Sequence, residues 1–199
     1  MCIGAHVDDI EIGCGGTLLR MLDSDPELEV TWWIATGNSQ RQEEARASAK
    51  AFLGNSGTER LHLCEFQDGY LPHRSAAVKD AFFDLRSVCQ PELIFTHRLE
   101  DRHQDHRLLA ELTWNTFRDH WILEYEIPKY EGDLGQPNLF VPLSEEFATK
   151  KIDLMFDSFV SQREKDWFQR DNFEALMRLR GIESKSTFAE AFTSRKLIL

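Results

Sequence analysis

Short apolar runs alternate with longer amphipathic runs through the first 120 residues, and this alternation limits the fold more than any other feature. Segments rich in β-forming residues predict four strands, at Cys2–Ala5, Leu28–Ala35, Leu61–Phe66 and Glu92–Thr96. Helical spacing predicts four helices, at Gly15–Leu22, Gln40–Leu53, Ala76–Cys89 and Asp105–Phe117. Such repetition is typical of βαβ units. We therefore expect an α/β fold, a Rossmann-like three-layer α/β/α arrangement with a mostly parallel sheet and a site at the carboxyl-terminal edge of its strands.

The pattern changes after residue 120. Two strands and two polar helices are predicted there, at Trp121–Ile127, Leu139–Pro142, Ser144–Phe159 and Arg163–Arg180. This part has too few apolar residues for a core of its own. We therefore expect one domain over residues 1–199, in which 1–120 form the sheet core with the site and 121–199 cap the pocket.

The composition excludes several classes of protein. Among the 199 residues, 34 are Asp or Glu and 23 are Lys or Arg, which gives a formal net charge of −11. Such a surface repels phosphate backbones, and no local basic patch offsets it, so we expect no nucleic-acid partner. The longest apolar runs, such as Val30–Ala35, are far shorter than the roughly 20 residues of a membrane span.

The four cysteines lie far apart and form no CxxC pair, which is typical of reduced thiols. The chain opens on an apolar segment with no basic region or cleavage site before it. We therefore expect no signal peptide and a cytoplasmic location. The sequence does not reveal the oligomeric state, and a homo-oligomer formed through the helices stays an open alternative.

Two polar clusters each follow a predicted strand. The first, after the first strand, is His6-Val7-Asp8-Asp9-Ile10-Glu11-Ile12-Gly13-Cys14-Gly15-Gly16-Thr17-Leu18. The second, after the fourth strand, is Thr96-His97-Arg98-Leu99-Glu100-Asp101-Arg102-His103-Gln104-Asp105-His106-Arg107. Because the carboxyl ends of parallel strands lie along one edge of a sheet, we expect both clusters at that edge.

The first cluster has the residue types of a metal site. Histidine and carboxylate groups are common zinc ligands, and a catalytic zinc typically keeps three protein ligands and one water. His6 and Asp9 are three residues apart across a strand-to-helix turn, so both can face one ion. Asp8 between them can then serve as the general base. In the alternative interpretation, His6 caps the strand and the two aspartates cap the next helix.

The second cluster opens a predicted helix and places His103 and His106 on the same face. One histidine can then bind the metal while the other points at the substrate. Asp105 can accept a hydrogen bond from an imidazole and fix its tautomer. In the alternative interpretation, this segment is a solvated, charged helix start. The presence of the first cluster on the same sheet edge favours the site.

A glycine run in the first cluster offers a rival interpretation, a dinucleotide-binding loop. Gly13-Cys14-Gly15-Gly16 fails the G-x-G-x-x-G spacing because Leu18 stands at the third glycine position. The acidic residues before the run would also repel a pyrophosphate. We therefore expect the glycines to allow close packing of a helix on the sheet.

Both clusters resemble signatures of the PIG-L/LmbE-like zinc-dependent N-deacetylase family. The first is similar to its AHPDDxExGCGGTL signature and the second to its TH-x3-D-x-H-x-DHR signature. Weaker resemblances lie at Arg41-Gln42-Glu43-Glu44-Ala45, Pro137-Asn138-Leu139-Phe140 and Ser161-Gln162. Val7 stands where the family usually has proline, and Asn38 stands where it often has glutamate.

The resemblance implies a metal site and a general base. His6, Asp9 and His106 would bind one Zn²⁺ per chain, with other divalent metals as alternatives. Asp8 would be the general base.

The resemblance also implies roles for the remaining residues of the site. His103 would be the general acid or the cation that stabilises the oxyanion, oriented by Asp105. Arg41 and Glu44 would line the substrate pocket, or alternatively form an ion pair on the helix surface. His97 would be a supporting residue rather than a ligand.

The reaction implied by the resemblance is hydrolysis of an N-acetyl group on an N-acetylglucosamine-type sugar or sugar conjugate, with release of acetate. Two alternatives stay open: metal-dependent hydrolysis of another amide or an ester, and a non-catalytic homologue that binds a sugar.

Among the aromatic residues, we expect Trp32 and Trp33 in the core, and Tyr125 or Tyr130 at the pocket.

Overall fold

The computed structural model describes residues 1–54 and 60–197. Its strands are β1 Cys2–Gly4, β2 Trp32–Thr36, β3 Leu61–Phe66, β4 Leu93–His97, β5 Trp121–Tyr125, β6 Leu139–Leu143 and β7 Phe188–Thr193. Its α-helices are α1 Asp9–Ser24, α2 Ser39–Leu53, α3 Ser75–Val88, α4 Gln104–Thr116, α5 Glu145–Ser158 and α6 Arg170–Glu183. Within the described ranges, no helix is both long enough and apolar enough to cross a membrane.

The strands form one sheet in the order β3-β2-β1-β4-β5-β7-β6. β1 pairs in parallel with β2 and β4, and the parallel pairing continues to β3 on one side and β5 on the other. β7 runs antiparallel between β5 and β6. The expected mostly parallel sheet is therefore confirmed. The chain moves outward from β1 in opposite directions, so the topological switch point lies between β1 and β4.

Helices cover both faces of the sheet, which confirms the expected three layers. α3 and α4 pack on one face around Trp33, Phe82 and Ile122. α1, α2, α5 and α6 lie on the other face, where the core includes Trp32 and Phe168. Successive strand residues point to opposite faces, so the two tryptophans enter different halves of the core, and both are buried as predicted.

Helix α1 begins at Asp9, well before the start at Gly15 that its apolar spacing predicts. Glycines lower helix propensity, but here they let the helix approach the sheet. A Cβ at Gly13 would lie 2.3 Å from the ring of Tyr125, and one at Gly16 would lie 2.5 Å from Leu143. The expected role of this glycine run in close helix–sheet packing is therefore confirmed.

Strand β7 is not predicted by the sequence pattern. Its central residues, Ala189-Glu190-Ala191, favour a helix and bury a carboxylate in the sheet. Tertiary contacts override this preference, because they satisfy the buried carboxylate. Lys151 Nζ lies 2.6 Å from Glu190 Oε1. The backbone N–H groups of Gly16 and Thr17 donate to the same carboxylate, at 2.9 and 2.6 Å.

Helix α6 begins at Arg170 rather than at Arg163 as predicted. The residues before it form a 3₁₀ turn, Val160–Gln162, and further turns. This path brings Phe168 fully into the core, where its ring centroid lies 4.8 Å from that of Phe156. Burial of this aromatic side chain favours the turn over a longer polar helix.

Replacing Lys151 by Met is expected to destabilise the fold strongly. Lys151 is buried and donates to the carbonyl of Ile12 at 2.7 Å as well as to Glu190, so the change leaves a buried carboxylate without its counter-charge. The free energy of unfolding should fall by about 3–5 kcal/mol in urea denaturation followed by circular dichroism. Lys150→Met, at the exposed neighbouring position, is the matched control. Equal stability of the two variants would contradict this role of Lys151.

Candidate active site

The two polar clusters meet at one edge of the sheet, as expected, and the structure places them at the switch point between β1 and β4. The loop after β1 carries His6, and the first turns of α1 and α4 carry Asp9 and His106. His6 Nδ1 lies 3.1 Å from His106 Nε2 and 3.3 Å from Asp9 Oδ2. His106 Nε2 lies 3.5 Å from Asp9 Oδ1. The three side chains predicted as metal ligands therefore converge on one point.

The spacing of these donor atoms fits a metal ion. Two ligand atoms that are about 2.0–2.1 Å from a tetrahedral ion are about 3.3–3.4 Å apart. The observed separations of 3.1, 3.3 and 3.5 Å bracket that value. Three overlapping groups of side chains have possible ligand atoms that all lie within 4.8 Å of one another. These groups are His6 with His103 and His106, Asp9 with His97 and His106, and His6 with Asp68 and Asp105. A set of imidazoles and a carboxylate is one that zinc favours.

Carboxylates approach both imidazole rings from the side away from this convergence point. Asp101 Oδ2 lies 3.1 Å from His106 Nδ1. Asp68 Oδ1 and Asp105 Oδ2 lie 3.1 and 3.4 Å from His6 Nε2. When a ring N–H donates to a carboxylate, the other ring nitrogen keeps its lone pair. This network therefore places the protons on His6 Nε2 and His106 Nδ1, and the lone pairs of His6 Nδ1 and His106 Nε2 face the convergence point.

Asp105 has a partner different from the one predicted. Its carboxylate approaches His6 and accepts the backbone N–H groups of Gly69 and Leu71, at 2.7 and 3.1 Å. The prediction that Asp105 orients His103 is therefore wrong. The physical reason is the spacing, because residues two apart at a helix start lie on different faces.

His103 lies beside the convergence point on the wall of the cavity. Its ring centroid is 4.9 Å from that of His6 and 4.5 Å from that of His106. Its backbone N–H donates to Asp101 Oδ1 at 2.8 Å, which anchors the start of α4. The side chain is half-buried and faces the space where a substrate would approach.

Asp8 is buried next to the convergence point and is held by Arg41. One Arg41 nitrogen donates to Asp8 Oδ2 at 2.8 Å, and another donates to Glu44 Oε2 at 2.7 Å. Ser161 donates its N–H and its hydroxyl to Glu44, both at 2.8 Å. The structure thus brings Arg41 to the cavity wall and places Glu44 behind it, where Glu44 holds Arg41 rather than facing the cavity. The alternative interpretation, an ion pair between Arg41 and Glu44, describes Glu44 better, but the pair is part-buried and does not lie on the helix surface.

Burial and neighbouring charges shift the pKa values of the two adjacent aspartates in opposite directions. Burial raises the pKa of Asp8, and the Arg41 guanidinium only partly offsets this effect. Burial acts on Asp9 too, but His106, His97 and His6 hold its pKa well below the usual range. A carboxylate with a raised pKa is suited to accept a proton, and one with a lowered pKa is suited to bind a cation.

His97 is fully buried behind the convergence point. Its Nε2 accepts the backbone N–H of Ala5 at 3.0 Å and lies 3.2 Å from Asp9 Oδ2. Its ring stacks on His106 with the centroids 3.9 Å apart. Because the nitrogen near Asp9 already accepts a hydrogen bond, the geometry favours a supporting role for His97.

A cavity of about 890 Å³ opens above these residues. It is lined by the first turns of α1, α2 and α4, the end of β3, the loop between β5 and β6, and the segment before α6. Tyr130 lines the cavity, as expected for one of the two tyrosines. Tyr125 is buried instead, and its hydroxyl donates to the carbonyl of Ile3 at 2.6 Å.

Three residues of this site are not among those that the sequence predicts. Asp101, which orients His106, lies inside the second cluster, so its place in the signature was an available signal. Ser161 belongs to one of the weaker resemblances. Asp68 lies in the loop after β3 and carries no local signal, because only the tertiary fold brings it to His6.

Known proteins match this chain in both sequence and fold. Residues 1–117 match the PIG-L family, described as GlcNAc-PI de-N-acetylase. The uncharacterized deacetylase YaiS of Escherichia coli K12 is 30% identical over 161 residues, which cover 76% of this chain and 85% of that protein. The chain belongs to the PIG-L family. Its homology to deacetylases indicates a hydrolase that acts on amides.

Solved structures share the fold of this PIG-L protein. The N,N'-diacetylchitobiose deacetylase of Pyrococcus horikoshii has a TM-score of 0.76 and 19% identity, with coverage of 97% of this chain and 82% of that one. GalB, the 4-carboxy-2-hydroxymuconate hydratase of Pseudomonas putida KT2440, has a TM-score of 0.73 and 17% identity, with coverage of 100% and 96%. Since a hydratase shares the fold, the fold alone does not determine the reaction, which depends on the residues of the site.

Proposed function

We propose that this PIG-L protein is a zinc-dependent hydrolase that removes the N-acetyl group from an N-acetylglucosamine-type sugar or sugar conjugate and releases acetate. The observation that carries the proposal is the convergence of His6, Asp9 and His106 beside the buried Asp8, at the base of an open cavity. Membership of a deacetylase family supports amide hydrolysis. The chitobiose deacetylase of the same fold supports an amino-sugar substrate.

In this proposal His6, Asp9 and His106 hold the zinc ion. When bound, zinc supplies Lewis-acid chemistry, because it acidifies a water molecule and polarises the amide carbonyl. Asp101 orients the His106 ring, and Asp105 orients the His6 ring. These two aspartates are positioning residues that act through the ligands.

Asp8 is the general base of the proposed reaction. It accepts a proton from the water that attacks the carbonyl carbon, and Arg41 keeps its carboxylate in place. His103 lies where its protonated ring can donate to the carbonyl oxygen as that oxygen becomes negative. The C–N bond then breaks, acetate forms, and the amine leaves with a proton from Asp8 or from His103.

Replacing His103 by Ala is expected to lower kcat by about 100- to 1,000-fold, the typical loss for one oxyanion donor. The zinc content should stay at one ion per chain, because the other three side chains hold the metal. His73→Ala, at an exposed histidine outside the cavity, is the matched control. An unchanged kcat in the His103 variant would remove this residue from the mechanism.

The proposed function is tested by acetate release from a panel of compounds by the zinc-loaded protein. The panel contains N-acetylglucosamine, N,N'-diacetylchitobiose, UDP-N-acetylglucosamine, simple N-acyl amides and acetyl esters. We expect release from at least one amino sugar, and loss of this activity after chelation. Release from esters or simple amides alone would replace the proposed substrate class. Sugar binding without any release would favour the non-catalytic alternative.

A further inference from the structure

The cavity extends beyond the residues that the reaction requires. At about 890 Å³ it is near the upper end of the roughly 300–1,000 Å³ typical of small-molecule sites, which leaves room beside one amino-sugar ring. We call the part away from the metal site the outer wall. It consists of the end of β3, the loop between β5 and β6, and the segment before α6, and its side chains include Glu65, Tyr130, Glu131, Lys165 and Trp167.

The outer wall presents aromatic surface to the cavity. Tyr130 is 81% exposed although it lines the cavity, so its ring face is available to a ligand. Trp167 is partly buried, and Lys165 Nζ lies 5.9 Å from the centre of its ring. A pyranose ring carries C–H groups on one face and hydroxyl groups at its edge, so it can pack on an aromatic face while keeping its polar groups wet.

The charges of the outer wall disfavour a phosphate group. Two of the cations at the cavity are already paired: Arg41 with Asp8 and Glu44, and Lys129 with Asp101 and Asp133. Lys165 is the third lysine or arginine at the cavity within the described part of the chain, and it lies on the outer wall. The outer wall also carries two carboxylates, Glu65 and Glu131, and both residues are exposed. A phosphate at this wall would therefore meet more like charge than opposite charge.

We propose that the outer wall is a subsite for a second sugar ring that packs on Tyr130 and carries no negative charge. The substrates are then N-acetylated disaccharides or longer oligosaccharides whose other rings are neutral or carry an amine, rather than phosphate-linked amino sugars. This inference rests on the proposed function, because it names the substrate class of the same site.

The first test compares kcat/KM of the zinc-loaded protein for N-acetylglucosamine, N,N'-diacetylchitobiose and N-acetylglucosamine 1-phosphate. We expect the disaccharide to exceed the monosaccharide at least about tenfold, and the phosphate to fall at least about tenfold below it. Equal or better turnover of the phosphate, or no gain from the second ring, would overturn the inference.

The second test changes the outer wall itself. Tyr130→Ala should raise KM for the disaccharide about tenfold, with kcat and the monosaccharide kinetics unchanged. Phe83→Ala, at an exposed aromatic residue on α3 outside the cavity, is the matched control. The double variant Glu65→Gln/Glu131→Gln should reduce the discrimination against the phosphate. An unchanged KM in the Tyr130 variant would refute the packing role, and unchanged discrimination in the double variant would refute the charge argument.

Binding measurements separate this inference from the proposed function. If no compound releases acetate, the proposed function fails, and calorimetry of the three compounds with the same protein still tests the subsite. Tighter binding of the disaccharide than of the phosphate, lost in the Tyr130 variant, would support the subsite alone. Equal binding of the two would reject it.

Discussion

Asp8→Asn is expected to lower kcat by about 1,000-fold while the protein keeps its zinc, in line with the range known for a general base. Asparagine keeps the shape of the side chain but cannot accept the proton of the attacking water. The hydrogen bond from Arg41 can persist to the amide oxygen, so the surrounding geometry should change little. The measurements are steady-state acetate release and zinc content by mass spectrometry on the same preparation.

The control for this variant is Asp80→Asn, an equivalent change at an exposed position on α3. It should leave both kcat and zinc content unchanged. Loss of zinc from the Asp8 variant would make Asp8 a ligand and contradict the assignment of the base. Wild-type turnover with full zinc would move the base to another residue.

His106→Ala is expected to abolish zinc binding at micromolar metal and, with it, acetate release. His106 Nε2 lies within 3.5 Å of donor atoms on both His6 and Asp9, so its loss leaves only two ligands at the convergence point. Zinc content after dialysis against a mild chelator should fall from one ion per chain to nearly none.

Asp101→Asn provides a graded comparison for His106→Ala. On His106, Asp101 contacts the outer nitrogen Nδ1 and not Nε2, which faces the convergence point. The Asp101 change should therefore weaken zinc affinity by about 10- to 100-fold without removing a ligand. A competition titration with a chromogenic chelator measures both variants. Equal losses of zinc affinity in the two variants would show that the His106 ring depends on Asp101 as much as the site depends on His106. Retained zinc affinity in His106→Ala would contradict the assignment of His106 as a ligand.

Much of the fold follows from local patterns in the sequence. β3 has the predicted bounds, Leu61–Phe66, because an apolar run between turn signals is a local property. β7 is different, since Glu190 is tolerated in a strand only because Lys151 and two backbone N–H groups from α1 satisfy its carboxylate. No local pattern contains that information. The late start of α6 likewise depends on the burial of Phe168.

The candidate site shows the same division. The expected parallel strands and the two signatures are enough to expect His6, Asp9 and His106 near one point, because the ends of parallel strands share an edge. The hydrogen-bond partners of these residues depend on the tertiary structure. The Arg41–Asp8 pair joins α2 to the start of α1, and Asp68 reaches His6 from a loop with no signature. Each depends on loop geometry that spacing along the chain does not encode.

We propose that His6, Asp9 and His106 hold the metal at which the amide is hydrolysed. An anomalous difference map at the zinc absorption edge, from crystals of the zinc-loaded protein, tests it most directly. We expect one peak about 2.0–2.2 Å from His6 Nδ1, an Asp9 carboxylate oxygen and His106 Nε2. A peak on the opposite side of His6, between its Nε2, Asp68 and Asp105, or no peak within reach of Asp9, would contradict it.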